Sequence, residues 1–227
     1  RFSNLTASIW SISFFALAYL IKDLLMFNLI FITFSFSLWI FLIPLILAFP
    51  HNKSFLQSSK AWIFFGVISF LGFSAGVNLI LFNQFALSPE FNIRGILLFI
   101  ICIAAFTDVF AYFIGKSLGK RKFLQNVSPK KTLEGFIGGV ILTSLFLSIS
   151  ISIFKEVSFV PVLLLILITS TFSIIGDASA SLFKRVSGTK DSSNLIPGHG
   201  GIFDRIDSHV AAFPVFLFFN FFVFHLI

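Results

Sequence analysis

The sequence has 227 residues, of which 57% are hydrophobic, 18% aromatic and 11% charged. Soluble domains carry roughly a quarter of their residues as charges, so this composition excludes one and leaves a chain whose apolar runs can cross a bilayer. The net charge of +7 has no soluble basic domain to sit on, which excludes a nucleic-acid partner and assigns the positive charge to loops facing anionic lipid or phosphates.

Apolar runs of span length fall near residues 5–21, 24–48, 61–82, 92–114, 135–154, 159–176 and 208–227. The predicted fold is therefore an all-α, polytopic integral membrane bundle of about seven transmembrane helices. Pro44 is expected to end or kink the second span. The chain opens at Arg1 and its one methionine is Met26, which predicts a native N-terminus upstream. Cys102 stands alone in an apolar run, so no disulfide framework is expected.

Seven spans alternate the loops between two sides and divide the basic residues unequally. Arg1, Lys53, Lys60, Lys116, Lys120, Arg121, Lys122, Lys130, Lys131, Lys184, Arg185, Lys190 and Arg205 fall on one side; Lys22, Arg94 and Lys155 fall on the other. This bias places the first side in the cytoplasm, with the 115–134 and 177–207 loops sharing it.

Residues 1–95 read as a hydrophobic transmembrane bundle without chemistry, in which Gly66, Gly72 and Gly76 are expected to let helices approach closely. His51 and His225 lie at span ends and suit an interface better than a metal. Residues 96–227 have a different character and are read as the catalytic region. Asp108 sits near the cytoplasmic end of an apolar span, where an ionisable group is costly and functional by default. Tyr112, four residues on, shares its helical face, so the two are expected to point into one cavity, with a structural interhelix hydrogen bond as the alternative.

Gly115-Lys116-Ser117-Leu118-Gly119-Lys120-Arg121-Lys122 is a basic loop without the spacing or the preceding strand of a Walker A motif. In Ser128-Pro129-Lys130-Lys131-Thr132-Leu133-Glu134-Gly135, the Ser-Pro pair predicts a helix N-cap and first turn, with free backbone N–H groups and two lysines forming a phosphate corner. Further on, Asp177, Ser181, Lys184 and Arg185 follow helical spacing and share a face. A break is predicted at Gly188 and a tight turn at Pro197-Gly198-His199-Gly200-Gly201. Asp204-Arg205-Ile206-Asp207 then opens the last span. Carboxylates dense among cations are what a divalent metal with a polyphosphate requires.

These residues carry a resemblance. Ser181-Leu182-Phe183-Lys184-Arg185, Lys190-Asp191, Pro197-Gly198-His199-Gly200-Gly201, Asp204-Arg205 and Asp207 together resemble the signature of the phosphatidate cytidylyltransferases, also called CDP-diacylglycerol synthases. The likeness runs back through Gly176-Asp177, the 128–135 motif, and Asp108-x-x-Ala111-Tyr112 with Gly115 and Gly119, and so covers residues 107–207. It implies transfer of CMP from CTP to phosphatidic acid, giving CDP-diacylglycerol and pyrophosphate, with Mg2+ required and a second cation such as K+ left open.

On that resemblance, Asp177 and Asp204 are assigned the metal, with Asp207 beside or behind them and Asp108 holding a second cation or orienting a lysine. Lys184, Arg185 and Lys190 are assigned the triphosphate. Ser128, Lys130, Lys131 and Arg205 are candidates for the lipid phosphate or the leaving pyrophosphate. Thr132, Ser181, Tyr112 and His199 complete the expected substrate-binding set, His199 as a turn residue more than a base. Asp177, Lys184, Asp204 and Arg205 form the expected catalytic group. Membrane lipids are the surroundings, a homodimer is left open, and the expected location is a bacterial plasma membrane with the site facing the cytoplasm. A CTP-dependent polyprenol or phytol kinase and a cation-coupled transporter are the alternatives, the latter disfavoured because no internal repeat is evident.

Overall fold

The computed structural model describes residues 16, 19–20, 22–82, 93–155, 157–189, 192–193, 201–224 and 226. Six helices among them are long and apolar enough to cross a membrane. In chain order these elements are α1 (Leu25–Leu47), a short α2 (Lys53–Leu56), α3 (Ser59–Leu81), α4 (Ile93–Ser117), strands β1 (Lys122–Leu124) and β2 (Ser128–Thr132), α5 (Leu133–Phe154), α6 (Phe159–Ser187) and α7 (Phe203–Phe219). A π-helical turn, Asn220–Phe224, extends α7. The chain is thus a polytopic integral membrane protein of the expected all-α kind, with one small hairpin added. The first expected span, 5–21, lies almost wholly outside the described residues.

Helices that are apolar all round have no amphipathic preference and are stable only where lipid or other helices surround them. Several of their hydroxyls return to their own backbone: Thr33, Thr107, Ser144 and Thr169 donate to carbonyls four residues back at 2.6–2.8 Å. Such bonds satisfy these hydroxyls within their own helix. Pro44 lies inside α1 without ending it; the helix stops three residues later, where the Ala48 N–H still reaches the Pro44 carbonyl. α6 runs eleven residues past the expected boundary at 176 and ends at Gly188, whose φ of 70° is the left-handed cap that glycine adopts without strain.

Close approach decides which helices pair. A Cβ on Gly139 would stand 2.7 Å from Ala111 Cβ and 2.9 Å from the Thr107 carbonyl, so α4 and α5 touch along small residues. Gly176 does the same for α6 against α7, where Asp207 O and Ala211 Cβ lie within 2.9 Å of the position a Cβ would take. Gly72 and Gly76 behave as expected, against Ser35 and Leu217. Gly66 does not: a Cβ there meets nothing within 4 Å, because the residue borders open space instead of a neighbouring helix.

Two apolar clusters share the interior. One joins Ile32, Leu79, Ile100, Leu165 and Phe216 and their neighbours; the other joins Trp39, Leu56, Phe65, Leu182 and Val215 with Leu124 and Val127 of the hairpin. Both draw on residues before and after 95, so the hairpin and the later helices are fixed against the N-terminal helices. Replacing Gly139 by Leu must push α4 from α5, and overpacking of this kind costs about 1–3 kcal/mol. We expect Gly139→Leu to lower the melting temperature of the detergent-solubilised protein and Gly66→Ala to leave it within error of wild type.

Candidate functional site

The site begins with the hairpin. Ser128 and Pro129 do not open a helix, as their order had predicted, but form the start of β2, with Lys122 opposite Thr132 and Leu124 opposite Ser128. The residue before a proline is driven to extended geometry, and here strand pairing completes that preference. The cap falls instead on Thr132, whose Oγ1 accepts from the Gly135 N–H at 3.2 Å. Lys130 and Lys131 are therefore carried on a strand that enters the helix, one turn earlier than a helical reading had placed them.

Glycine lets this turn sit against the end of α4. A Cβ on Gly119 would meet Thr132 Cγ2 and Oγ1 at 2.7 Å, and one on Gly115 would meet Thr132 Oγ1 at 3.0 Å. Glu134 then fixes the basic loop, accepting from the Lys120 N–H at 3.0 Å and the Arg121 N–H at 3.1 Å, while its Oε1 lies 3.5 Å from Arg121 Nε. The hairpin tip is tied down on two sides. Asn126 Nδ2 donates to the Phe49 carbonyl at 3.2 Å, and Arg185 Nε donates to the Val127 carbonyl at 3.2 Å.

Between α4, β2, α5 and α6 this construction leaves a cavity of about 390 Å3 lined by Asp108, Tyr112, Lys116, Lys130, Lys131 and Asp177, among others. Lys131 Nζ is fully covered and lies 2.5 Å from Asp177 Oδ2. Asp108 faces the same cavity, interacts with the Ser208 side chain and feels the charges of Asp177 and Lys131. Asp207, on α7 behind them, feels both Asp177 and Asp108, and its Oδ1 accepts from the Ser208 N–H at 2.8 Å. Three carboxylates from three helices thus share one electrostatic neighbourhood.

Asp204 is held apart from them. Its Oδ1 accepts from Lys184 Nζ at 2.8 Å, and its Oδ2 accepts from the Ser192 N–H, the Ser192 hydroxyl and the Gly201 N–H, each at 2.9 Å. Placed in the first turn of α7, it secures the residues entering that helix and holds Lys184 against them. These donors crowd its Oδ2, while Oδ1 accepts from Lys184 alone among the described residues. Among the described residues no three acidic, His or Cys side chains converge tightly enough to enclose a metal ion.

The structure therefore brings together Asp108, Tyr112, Lys130, Lys131, Thr132 and Asp177, with Asp207 adjacent. It pairs Lys184 with Asp204, spends Arg185 on the hairpin backbone, leaves Arg205 on the exposed side of α7, and places Ser128 in the ribbon and Ser181 outside both these groupings. Lys190 and His199 lie outside the described residues. Lys116, Glu134 and Ser208 were not picked out individually from sequence. Lys116 and Glu134 stand inside the quoted motifs and were legible there; Ser208 had no signal beyond its neighbour Asp207.

Comparison with known proteins bears on what this site does. Residues 1–223 match the model of the cytidylyltransferase family. A phosphatidate cytidylyltransferase of Haemophilus influenzae is 37% identical over 194 residues, which is 82% of this chain and 67% of that protein. One from Bacillus subtilis is 44% identical over 128 residues, 54% of this chain and 46% of its own length. One from Pseudomonas aeruginosa is 36% identical over 182 residues, 78% and 64% respectively. The aligned part of the chain therefore spans between about half and two thirds of these relatives.

Glu134 generates a local prediction. Removing its carboxylate leaves the Lys120 and Arg121 N–H groups without their acceptor and frees the basic loop. In Glu134→Ala, amide hydrogen exchange at residues 120–121 should accelerate at least about tenfold, while exchange within α6 stays unchanged.

Proposed function

The chain belongs to the cytidylyltransferase family, and from that premise we propose that it transfers CMP from CTP to phosphatidic acid at the cytoplasmic face of a bacterial plasma membrane, releasing pyrophosphate and CDP-diacylglycerol. The observation that carries this reading is the cavity in which Lys131, paired to Asp177, stands with Lys116, Lys130 and Asp108 at the ends of membrane-spanning helices. Lysines there meet phosphates at the depth of lipid headgroups. Tyr112, exposed at the mouth beside Phe136, offers the cavity an apolar side toward lipid.

In the reaction a phosphate oxygen of the lipid forms a bond to the α-phosphorus of CTP, and the bond from that phosphorus to the pyrophosphate oxygen breaks. Phosphatidate is already ionised, so no base is required. The protein's work is alignment and neutralisation of charge. Asp177 holds Lys131 at one fixed position, which sets where the attacking phosphate docks, and Lys116 and Lys130 offset the remaining charge. Lys184, held by Asp204, is the cation placed for the nucleotide phosphates.

Mg2+ suits these residues as a nucleotide-borne ion. It binds through one or two carboxylates with phosphates and waters completing the octahedron, so it needs no all-protein cage. Asp177 and Asp108 share one cavity, and Asp177 Oδ1 is not part of the lysine pair. We assign these two as the carboxylates that would hold it, with Asp207 supporting. When bound, the ion supplies neutralisation of the phosphates. Asp204, given the metal on the resemblance, is assigned here to holding Lys184 and the entry to α7.

The decisive assay is transfer of label from CTP to phosphatidate in detergent, with and without EDTA. We expect Asp177→Asn to lower the rate by about 10²-fold or more, and wild-type rates in that variant at saturating Mg2+ would remove Asp177 from the metal. Release of CDP with a lipid lacking CMP would instead identify a kinase.

A further inference from the structure

Between Asp108 and Glu134 the chain carries the cations Lys116, Lys120, Arg121, Lys122, Lys130 and Lys131, and no acid. Lys116, Lys130 and Lys131 line the cavity; Lys120, Arg121 and Lys122 do not. These last three are exposed, Arg121 with 79% of its side chain accessible. Among the described residues no carboxylate stands within ion-pair distance of Lys120 or Lys122. The segment is nonetheless held in one shape. Glu134 takes the Lys120 and Arg121 backbone N–H groups rather than the two lysine ammonium groups, and Phe123 stacks on Phe136 with ring centroids 4.7 Å apart. Its backbone is anchored while its charge faces outward.

The position of this charge says what it meets. The membrane-crossing part of α4, Arg94–Ser117, has 24 residues, about 36 Å at the helical rise against a hydrocarbon core of about 30 Å. Its last turn therefore reaches the headgroups, and residues 118–122 follow directly. Leu118, between Lys116 and Lys120, is 65% exposed, and Tyr112 and Phe113 on the preceding turns are 61% and 62% exposed. The Lys116 ammonium stands 5.9 Å from the centre of the Tyr112 ring, so the basic segment continues into the mouth of the cavity. An anion arriving from water gains nothing from a bare leucine. A bilayer surface takes both, the leucine and rings at the acyl boundary and the cations among lipid phosphates.

We propose that residues 118–122, with Tyr112 and Phe113 beneath them, form a docking surface for anionic lipid beside the cavity mouth. Lys120, Arg121 and Lys122 attract the lipid phosphate, Leu118 seats the segment at the acyl boundary, and Lys116 stands between this surface and the cavity. Delivery of phosphatidate to the cavity rests on the transferase reading above; the affinity for anionic lipid does not.

The test uses the full chain in phosphatidylcholine nanodiscs. Leu118→Trp places a fluorophore in the surface without removing its apolar character, and its quenching is read above the background of the native tryptophans. Brominated phosphatidylglycerol should quench it at a lower mole fraction than brominated phosphatidylcholine does. Adding Lys120→Gln and Lys122→Gln, which leave the Arg121–Glu134 contact in place, should raise the mole fraction of phosphatidylglycerol needed by at least about tenfold, from about fivefold per cation. Lys120→Arg with Lys122→Arg should restore it, and about 1 M salt should abolish the preference. In the transfer assay the double Gln variant should raise the KM for phosphatidate while kcat and the KM for CTP hold. Equal quenching by the two lipids, or a preference untouched by the Gln substitutions, would overturn the proposal. So would a raised KM for CTP with the lipid preference intact, which would give the loop to the nucleotide. Protein that shows the charge-dependent lipid preference but transfers no CMP would end the transferase reading alone and leave the docking surface standing.

Discussion

The pair between Lys131 and Asp177 is the constraint on which the hairpin-bearing end of this bundle depends. Each side chain is about a quarter exposed, at 26% and 28%, so its contribution to stability is modest after solvent screening. Its larger consequence is positional. Asp177 belongs to a membrane-spanning helix and Lys131 to a strand, and the contact fixes the height and direction at which the hairpin crosses the end of α6. The Arg185 donation to the Val127 carbonyl pins the same hairpin from the same helix. Two neighbouring stretches of α6 thereby set the place of a ribbon that carries three lysines.

Such a ribbon needs the helices beneath it to come close, and glycine supplies that. With side chains at 115, 119, 135 and 139, the Thr132 cap could not reach the end of α4, and the cavity lined by Lys116 and Asp108 would not close around Lys131. Small residues are the common device of helix contact in lipid, where apolar side chains gain little by leaving one hydrocarbon for another. Here they also determine the spacing of charges, so that packing in the bundle and electrostatics at its end follow from the same positions.

Much of this is legible in the amino-acid sequence itself. Six spans declared themselves by length and apolarity, and Gly188 and Asp204 marked the end of α6 and the start of α7 because glycine caps and first-turn acids act locally. The hairpin did not declare itself. Ser-Pro followed by lysines satisfies a helix N-terminus and a strand equally well, and pairing with residues 122–124, a nonlocal event, decided the matter. The same limit applies to Asp204 and Arg185. Residue type and helical spacing marked them as polar members of one site, but whether a carboxylate faces a cavity or a neighbouring loop depends on contacts made twelve or fifty-eight residues away. Gly66 misled for the related reason that a glycine in a span can border a helix or a void.

α6 is a wall to two cavities, the one that holds Lys131 and an aromatic one of about 320 Å3 between α1, α3, α6 and α7, lined by Trp39, Trp62 and Phe65 among others, and its geometry relates them. Gly176, Ser179, Ala180, Phe183, Lys184 and Ser187 recur at the spacing of one helical stripe and line the aromatic cavity, while Ile174 and Asp177 line the other. Asp177 and Lys184 lie two turns apart near the shared edge of these faces, so the pair made with Lys131 and the pair made with Asp204 stand on one stretch of the helix. Asp207 supports that edge from α7: it lines the aromatic cavity and feels the charges of Asp177 and Lys184. Because Gly176 lets α7 pack directly against α6 at this level, the partition there is one helix thick. One stretch of α6 therefore sets the geometry of both cavities at the end of the bundle that carries the hairpin.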